Sequence, residues 1–149
     1  MPAKGPDARV EISSDLAYVR FVVSAAETFA DIYGFNEDVV HDIGLAVSEL
    51  ATNAIKHGNR KKPEKRVATE FYKDCNGIEI YVTDEDGEQF DFSGYFEADM
   101  DTTRRGNGRG IFIVHRIADE LTYEWPTGRG TRVRFAKHKP DPLLPTSSL

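Results

Sequence analysis

The stretch DIGLAVSELATNAIKHGN, residues 42–59, carries the pattern that decides the fold. Apolar side chains recur three and four residues apart along this stretch and just before it, which is the spacing of one buried helix face. The apolar positions are Val40, Ile43, Val47, Leu50 and Ala54. The sequence therefore predicts a long helix packed on a hydrophobic core, with the rest of the chain arranged around it.

The other side of this helix carries a row of polar side chains. Glu49 and Asn53 are one turn apart, and Lys56 and His57 follow one turn later. A carboxylate accepts protons, a neutral amide oxygen suits a hard metal ion, and a cation suits phosphate. Glu and Lys on a helix are usually only solvated, whereas an Asn inside a helix often has a specific partner. The row indicates a nucleotide site if other segments contribute to it.

The composition describes one globular domain. A chain of 149 residues with 40% apolar and 30% charged residues can bury a single core. Its net charge of −6 argues against direct binding to nucleic acid, which relies on clustered Lys and Arg. No apolar run approaches the roughly 20 residues of a membrane span, and the N-terminus lacks a secretory signal. The single cysteine, Cys75, fits a reducing compartment, so we expect a cytoplasmic protein.

A first strand and a first helix precede the central helix. Residues 9–12 (RVEI) alternate weakly between polar and apolar side chains, which predicts a short strand. Ser13 or Ser14 can cap the helix that follows, and apolar residues recur at helical spacing as far as Tyr33. Gly34 supplies the left-handed residue at which such a helix ends. We expect this helix to be structural.

The central helix has its own start and stop signals. Asn36 is a suitable N-cap, and Glu37 and Asp38 complement the positive end of the helix dipole. Gly58 follows its last turn. The polar residues 59–65 (NRKKPEK) include a proline, so they predict an exposed connection to the next element.

Two antiparallel hairpins are predicted. The first joins strands over residues 67–73 and 78–83, with Asn76 and Gly77 as the turn signal. Because polar and apolar side chains alternate over 78–83, one sheet face should pack against helices and the other should be partly wet. The alternating residues of the second hairpin are Leu121, Tyr123 and Trp125 and, after the turn PTGRG, Thr131, Val133 and Phe135.

A long acidic segment, residues 84–105, separates the hairpins from a glycine-rich turn at 106–110 (GNGRG). Loops of this length are usually lids, binding loops or disordered segments. Ile111, Val114 and Ala118 then indicate a third helix. A glycine-rich turn before a helix lets backbone N–H groups approach an anion, and phosphate is the expected one. Glycines also serve ordinary loops, so this pattern is weak by itself.

The order of elements is strand, two helices, hairpin, loop, helix and hairpin. This order predicts an α+β two-layer sandwich, in which about three helices cover one face of a mixed, mostly antiparallel sheet. We expect a flexible N-terminus over residues 1–8, one domain over 9–137, and a poorly ordered proline-rich tail over 138–149 that includes His138.

Four motifs occur in an order that resembles one protein family. They are SELATNAIKHG, a strand ending in VTDEDG, RRGNGRGIFIVHRIAD and GRGTRVRF. Their combination resembles the GHKL (Bergerat-fold) ATPase family, and more narrowly its short bacterial anti-sigma factors that are also serine-protein kinases. The likeness runs from about Ser13 to Lys137, so it implies that residues 9–137 form an ATP-binding kinase domain.

The resemblance implies a role for each motif residue. Asn53 would carry the Mg²⁺ ion that bridges the ATP phosphates, and Glu49 would take a proton from the attacking hydroxyl. Asp84 would accept a hydrogen bond from the adenine amino group. The other implied nucleotide contacts are Lys56 and His57 near the phosphates, Gly87 in the loop after Asp84, Gly106, Gly108 and Gly110 at the lid, Arg105 or Arg109 against phosphate charge, and Thr131 under the adenine.

The loop after Asp84 departs from the family pattern. The family usually shows Asp-x-Gly-x-Gly, often followed by Phe-Asp, whereas residues 84–91 here read DEDGEQFD. Asp86 occupies one glycine position, and Glu88 or Gln89 occupies the other. Acidic side chains beside the pocket would repel phosphates, so the sequence alone leaves the nucleotide affinity open.

Three functions remain for the structure to weigh. The first is an ATP-dependent serine/threonine-protein kinase and anti-sigma factor, which phosphorylates an anti-anti-sigma (STAS-type) protein, sequesters a sigma factor and forms a homodimer. The second is a non-catalytic module of the same fold that regulates a partner by contact. The third, half of a sensor histidine kinase, is disfavoured because the chain lacks room for a dimerisation helix pair and no histidine lies in an evident phosphoacceptor context. The histidines are His41, His57, His115 and His138.

Overall fold

A computed structural model describes residues 4–85, 107–126 and 130–140, with the backbone alone at 107–109. A 3-10 turn (Leu16–Tyr18) precedes the first helix, and a π-helical turn (Ala54–Gly58) extends the second. The strands are β1 (Ala8–Ser13), β2 (Arg66–Asp74), β3 (Gly77–Thr83), β4 (Glu120–Glu124) and β5 (Arg132–His138), and the helices are α1 (Val19–Tyr33), α2 (Glu37–Asn53) and α3 (Asn107–Ile117).

The five strands form one sheet in the order β1-β2-β3-β5-β4. Each neighbouring pair is antiparallel, so over the described strands the sheet is purely antiparallel rather than mixed. Helix α2 packs between α1 and α3, and the three helices cover one face of the sheet. The predicted α+β two-layer sandwich is confirmed.

The core lies between the helices and the sheet. The apolar stripe of α2 is buried as its spacing predicts, with Ile43 and Val47 at 0% and Leu50 at 2% exposure. From β2, Phe71 meets Phe29 of α1 at a ring-centroid distance of 5.4 Å. Burying each side chain of this size stabilises the fold by about 1.5–3 kcal/mol. Within the described ranges, no helix is both long and apolar enough to cross a bilayer.

The boundary between α1 and α2 forms as the sequence predicts. Gly34 ends α1 in the left-handed conformation with φ 111°. The side chain of Asn36 caps α2, because its Oδ1 accepts the N–H of Val39 at 2.9 Å. Glu37 and Asp38 follow in the first turn, where the helix dipole favours negative charge. Contacts within this short segment therefore determine where α2 begins, and so which way its polar row faces.

The start of the first helix differs from the prediction. Asp15 caps the 3-10 turn that precedes the helix, because its Oδ1 accepts the N–H of Ala17 at 2.9 Å. Helix α1 itself follows Tyr18 without a side-chain cap, so neither Ser13 nor Ser14 caps it. Ser14 has a different partner, since its hydroxyl donates to the carbonyl oxygen of Lys65 at 2.8 Å. A long-range contact therefore removes Ser14 from the capping position that its local sequence favours.

The first hairpin is confirmed, but its turn lies one residue earlier than predicted. Asp74 pairs with Gly77, so Cys75 and Asn76 are the two loop residues. The Oδ1 atom of Asp74 accepts the N–H groups of Asn76 at 2.7 Å and Gly77 at 3.2 Å. The side chain of Asp74 therefore sets this turn, as short polar side chains commonly do.

The second hairpin is also confirmed, with different ends. Strand β4 stops before Trp125, and β5 continues through His138, which the sequence places in the tail. The backbone N–H of His138 donates to Asp119 Oδ2 at 2.7 Å, and its imidazole lies 2.7 Å from Glu120 Oε2. These contacts hold His138 in the sheet.

The sheet face away from the helices is drier than its alternating pattern predicts. Tyr81 is 2% and Tyr72 is 6% exposed, and their rings meet edge to face at 5.4 Å. Glu79 Oε2 accepts the hydroxyl of Tyr81 at 2.7 Å and Nε of Arg134 at 3.0 Å. A tyrosine pair and an ion pair therefore cover a face that the sequence predicts to be partly wet.

Candidate nucleotide-binding site

The last turn of α2, with Asn53 from its polar row, lies over the adjoining ends of β3 and β5, where a narrow pocket opens between helix and sheet. The pocket is lined by Leu50, Asn53, Ala54, Val82, Asp84, Thr131 and Val133. Apolar walls with a few converging polar groups are typical of a small-molecule site. Three residues that the family resemblance singles out, Asn53, Asp84 and Thr131, are brought together here.

Asn53 is the polar residue on the helix side of the pocket. It is 3% exposed, and its Nδ2 atom has no hydrogen-bond partner among the described residues. A buried polar atom without a partner destabilises a fold by about 1–3 kcal/mol, and native proteins contain few of them. Asn53 is therefore suited to a ligand that enters the pocket and completes its interactions.

Asp84 is the charged residue on the sheet side, and it is 4% exposed. Its backbone N–H donates to the carbonyl oxygen of Thr131 at 3.2 Å, and its Oδ1 accepts the N–H of Thr131 at 3.0 Å. A Cβ atom on Gly58 would overlap the Oδ2 atom of Asp84. The end of the π-helical turn therefore packs directly on this carboxylate, and only glycine allows that approach.

Glu49 is half-buried one turn before Asn53. A Cβ atom on Gly110 would overlap Glu49 Oε2, so the backbone of α3 touches the carboxylate in its first turn. The positive end of the α3 dipole favours the negative charge there. Helix α3 begins at Asn107, earlier than predicted, so most of the GNGRG segment is helical rather than a turn before the helix.

The π-helical turn shifts the residues after Asn53 out of line with the polar row of α2. The N–H of Asn59 donates to the carbonyl oxygen of Ala54 at 2.8 Å, a spacing of five residues instead of four. Lys56 is exposed and His57 is half-buried, and neither belongs to the described lining of the pocket. Both residues lie in the π-helical turn that follows α2, outside the narrow part of the site.

Asn59 is the residue that sequence reasoning misses. The sequence predicts that it lies in the exposed connection 59–65, yet it is 0% exposed. Its side chain bonds to Ser14, Arg66 and Glu85, which belong to separate parts of the fold. An Asn after a helix-ending Gly is ordinary turn composition, so nothing local distinguishes it.

The structure describes the remaining predicted site residues only in part or not at all. Gly87, Arg105 and Gly106 fall outside the described residues, as does the altered part of the loop at 86–91. Gly108 and Arg109 belong to the first turn of α3, where only the backbone is described. Their backbone N–H groups are at the helix end that favours anions.

Compatibility of the pocket with Mg²⁺ depends on the metal ligands that its residues offer. The described residues contain no group of three His, Cys, Asp or Glu side chains that would hold a metal by itself. Mg²⁺ in nucleotide sites commonly takes one or two protein ligands and completes its shell with phosphate oxygens and water. The Oδ1 oxygen of an asparagine is a ligand of the kind that Mg²⁺ takes, and the Nδ2 of Asn53, which has no partner among the described residues, can donate to a phosphate oxygen. Asn53 is therefore compatible with a magnesium–nucleotide complex.

The two-layer fold, with a small pocket between helix and sheet into which a few polar groups converge, defines an α+β domain suited to a small-molecule ligand. Sequence comparison agrees with that class. The chain belongs to the family of the histidine kinase-like ATPase domain, which matches residues 12–137. This match confirms the resemblance to the GHKL ATPases that the four motifs indicate.

Similar curated proteins carry the name serine-protein kinase RsbW. The protein from Staphylococcus aureus (strain bovine RF122) is 29% identical over 124 residues, which cover 76% of this chain and 75% of the relative. The protein from Bacillus subtilis is 24% identical over 126 residues, covering 80% and 78%. The protein from Listeria innocua is 26% identical over 102 residues, and the chain spans only 64% of that relative's length.

A solved structure shares the fold. The RsbU and RsbW domains of Rv1364c from Mycobacterium tuberculosis match with a TM-score of 0.55 and 18% sequence identity. The match covers 91% of this chain and 34% of that chain. At this identity the likeness supports the fold alone.

Proposed function

We propose that this protein is an ATP-dependent serine/threonine-protein kinase and anti-sigma factor of the cytoplasm. It phosphorylates an anti-anti-sigma (STAS-type) protein, and it sequesters a sigma factor when that protein is unavailable. The family match supports the use of ATP, and the names of the RsbW relatives support transfer to a protein serine. The observation that carries the proposal is the buried, incompletely bonded amide of Asn53 beside Asp84.

In this proposal one end of the pocket binds the adenine base and the other end binds the phosphates. Asp84 accepts a hydrogen bond from the adenine amino group, with Thr131 beside it. Asn53 holds the Mg²⁺ ion, which when bound neutralises phosphate charge during transfer. We assign the remaining phosphate and loop contacts to Lys56, His57, Gly87, Arg105, Gly106, Gly108, Arg109 and Gly110.

Glu49 acts as the base toward the partner's hydroxyl. It accepts the hydroxyl proton as the hydroxyl oxygen bonds to the γ-phosphorus of ATP. The bond from that phosphorus to the β,γ-bridging oxygen breaks, and ADP leaves with the electron pair. Positioning and charge neutralisation carry most of phosphoryl transfer, so the contact of Glu49 with the first turn of α3 serves to orient the base.

The substitution Glu49→Ala tests the assignment of the base. It should leave ATP binding within about twofold of wild type and lower transfer by roughly a hundredfold or more, because general-base catalysis contributes about that much. Transfer from γ-labelled ATP to purified STAS-type proteins measures the rate. Asp42→Ala, at an exposed position of the same helix, is the matched control. Undiminished transfer by the Glu49 variant would remove this residue from the mechanism.

We further propose that two copies pair through the edge strand β1. A groove of about 450 Å³ runs along β1 and is lined partly by Val10, Tyr18 and Phe21. Phe21 is 61% and Tyr18 is 41% exposed, and their ring centroids lie 6.1 Å apart, so the two rings form a contiguous exposed apolar patch of the kind that marks an interaction site. Antiparallel pairing of two β1 strands about Val10 would set Arg9 of each copy opposite Glu11 of the other.

Analytical ultracentrifugation tests this pairing. Wild-type protein should sediment as a dimer at micromolar concentration, and Phe21→Asp should sediment as a folded monomer, since a buried charge at the interface opposes association. Ile32→Asp, which changes another exposed apolar residue of α1 outside the groove, is the control and should remain dimeric. A monomeric wild type would contradict the pairing without affecting the kinase assignment.

A further inference from the structure

Asn59 makes more side-chain hydrogen bonds than a turn residue needs. Its Nδ2 donates to Ser14 Oγ at 2.8 Å and to the carbonyl oxygen of Arg66 at 2.9 Å. Its Oδ1 accepts the backbone N–H of Glu85 at 2.9 Å. The amide therefore joins the segment after β1, the start of β2 and the segment after β3 at a fully buried point.

The bond to Glu85 acts on the neighbouring Asp84. The backbone N–H of Asp84 is held by the carbonyl oxygen of Thr131, and the next N–H, that of Glu85, is held by Asn59. Two successive N–H groups are thus bound to different elements, which fixes the backbone on both sides of the Asp84 side chain. Thr131 orients the Asp84 carboxylate directly. Asn59 orients the peptide group that follows Asp84.

We infer that Asn59 is a positioning residue for recognition of the nucleotide base. The inference rests on the proposed function, in which Asp84 accepts a hydrogen bond from the adenine amino group. Asn59 also directly follows Gly58, whose backbone packs on the same carboxylate. One short segment therefore determines both the wall behind Asp84 and the direction of the chain that carries it.

Base selectivity is the property that this arrangement controls. Adenine offers an amino donor at the position where guanine offers a carbonyl acceptor. A carboxylate held in place attracts the first and repels the second, whereas a displaced carboxylate does neither well. Loss of the Asn59 bond should therefore reduce the preference for ATP over GTP rather than lower both affinities equally.

The experiment measures Mg-ATP and Mg-GTP affinities by calorimetry for wild type, Asn59→Ala and Ser14→Ala. Ser14 belongs to the same buried network, but its removal leaves the bond between Asn59 and Glu85 in place. We expect Asn59→Ala to lower the ATP-to-GTP affinity ratio roughly tenfold, the effect of one hydrogen bond to a well-placed group. Ser14→Ala should keep the ratio within about twofold of wild type while also losing buried hydrogen bonds.

An unchanged ratio in Asn59→Ala, or an equal fall in both variants, would overturn the inference. A wild type that binds neither nucleotide would instead overturn the proposed function, so the two failures are distinguishable. If Asn59→Ala does not fold, amide hydrogen exchange of the wild type tests whether Asn59 holds the Glu85 N–H. The Glu85 N–H should exchange at least tenfold more slowly than in an unprotected peptide, although the residue is exposed, and unprotected exchange would contradict the inference.

Discussion

Gly58 and Gly110 each place backbone directly against a carboxylate of the site. A Cβ atom on Gly58 would overlap Asp84, and one on Gly110 would overlap Glu49. The two cases differ in how the carboxylate is held. Asp84 is fixed by Thr131, whereas Glu49 is half-buried at the end of a flexible side chain. Substitution at Gly110 should therefore move a side chain rather than disrupt the fold.

Gly110→Ala should slow phosphoryl transfer without lowering stability. Alanine favours a helix over glycine by up to about 1 kcal/mol, and the Glu49 carboxylate can rotate away from the new methyl group. Displacing a reacting group by about 1 Å can reduce a rate roughly a hundredfold. We expect an unchanged or higher thermal midpoint, measured by calorimetry, together with a tenfold to hundredfold slower transfer, on the order expected for such a displacement.

A double variant shows whether Gly110 acts through Glu49. In the Glu49→Ala background, adding Gly110→Ala should have no further effect on the residual transfer rate, because residues that act as a unit are not additive. Equal losses in the two backgrounds would mean that Gly110 acts independently of Glu49. A lower thermal midpoint would mean that the substitution disturbs α3 itself, and either result would contradict the account.

The residues of the site differ in how far the sequence predicts them. Glu49 and Asn53 are predictable because side chains four apart on a helix share a face, and the local pattern contains that information. Asn59 is not predictable, because its partners Ser14 and Glu85 are 45 and 26 residues away along the chain. Only the folded topology brings these groups together.

The elements themselves are largely predictable, with errors concentrated at their ends. Apolar periodicity identifies α2 and both hairpins, and side-chain caps such as Asn36 fix some boundaries. The π-helical turn Ala54–Gly58 has no local signature, because one extra residue in the last turn leaves the preceding stripe unchanged. The extension of β5 to His138 depends on contacts with Asp119 and Glu120, which a strand pattern does not contain.

The outer sheet face contains a coupled set of ionisable groups. Burial and the hydrogen bond to Glu79 raise the pKa of Tyr81 to about 12. Burial opposes ionisation of Glu79, but hydrogen bonds from Arg134 and Tyr81 outweigh it and hold the pKa of Glu79 below its usual value. The folded state therefore keeps Tyr81 protonated at a pH where the unfolded chain, with a tyrosine pKa of 10.0, releases the proton.

Stability should consequently fall as the pH rises from about 10 toward about 12. Below pH 10 both the folded and the unfolded state hold the Tyr81 proton, so the contribution of Tyr81 to stability is fully present there. Between about pH 10 and 12 only the folded state holds it, and the contribution is lost as the pH rises. Denaturant unfolding at several alkaline pH values measures how steeply the free energy of unfolding falls with pH. This slope should become shallower in Tyr81→Phe. Identical slopes for wild type and Tyr81→Phe would contradict the role of Tyr81.

At the scale of the whole molecule, the strand order brings Asp84 and Thr131 together on the sheet side of the pocket. Antiparallel pairing of β3 with β5 aligns Thr83 with Arg132, so that Asp84 and Thr131 lie side by side just beyond the pair. The order of elements along the chain predicts two layers, but it does not specify that β5 inserts between β3 and β4. That insertion is what places Thr131 beside Asp84.

The central claim is that a magnesium–ATP complex binds between Asn53 and the start of α3, and titration calorimetry tests it most directly. Wild type and Asn53→Ala are each titrated with Mg-ATP, and each is melted without nucleotide. Removing a buried amide whose nitrogen lacks a partner among the described residues should leave the nucleotide-free thermal midpoint unchanged or higher. The account predicts one Mg-ATP per wild-type chain and roughly tenfold or weaker binding by the variant. Absence of wild-type binding at millimolar Mg-ATP, or equal binding by both proteins, would contradict the claim and favour a contact-only regulator.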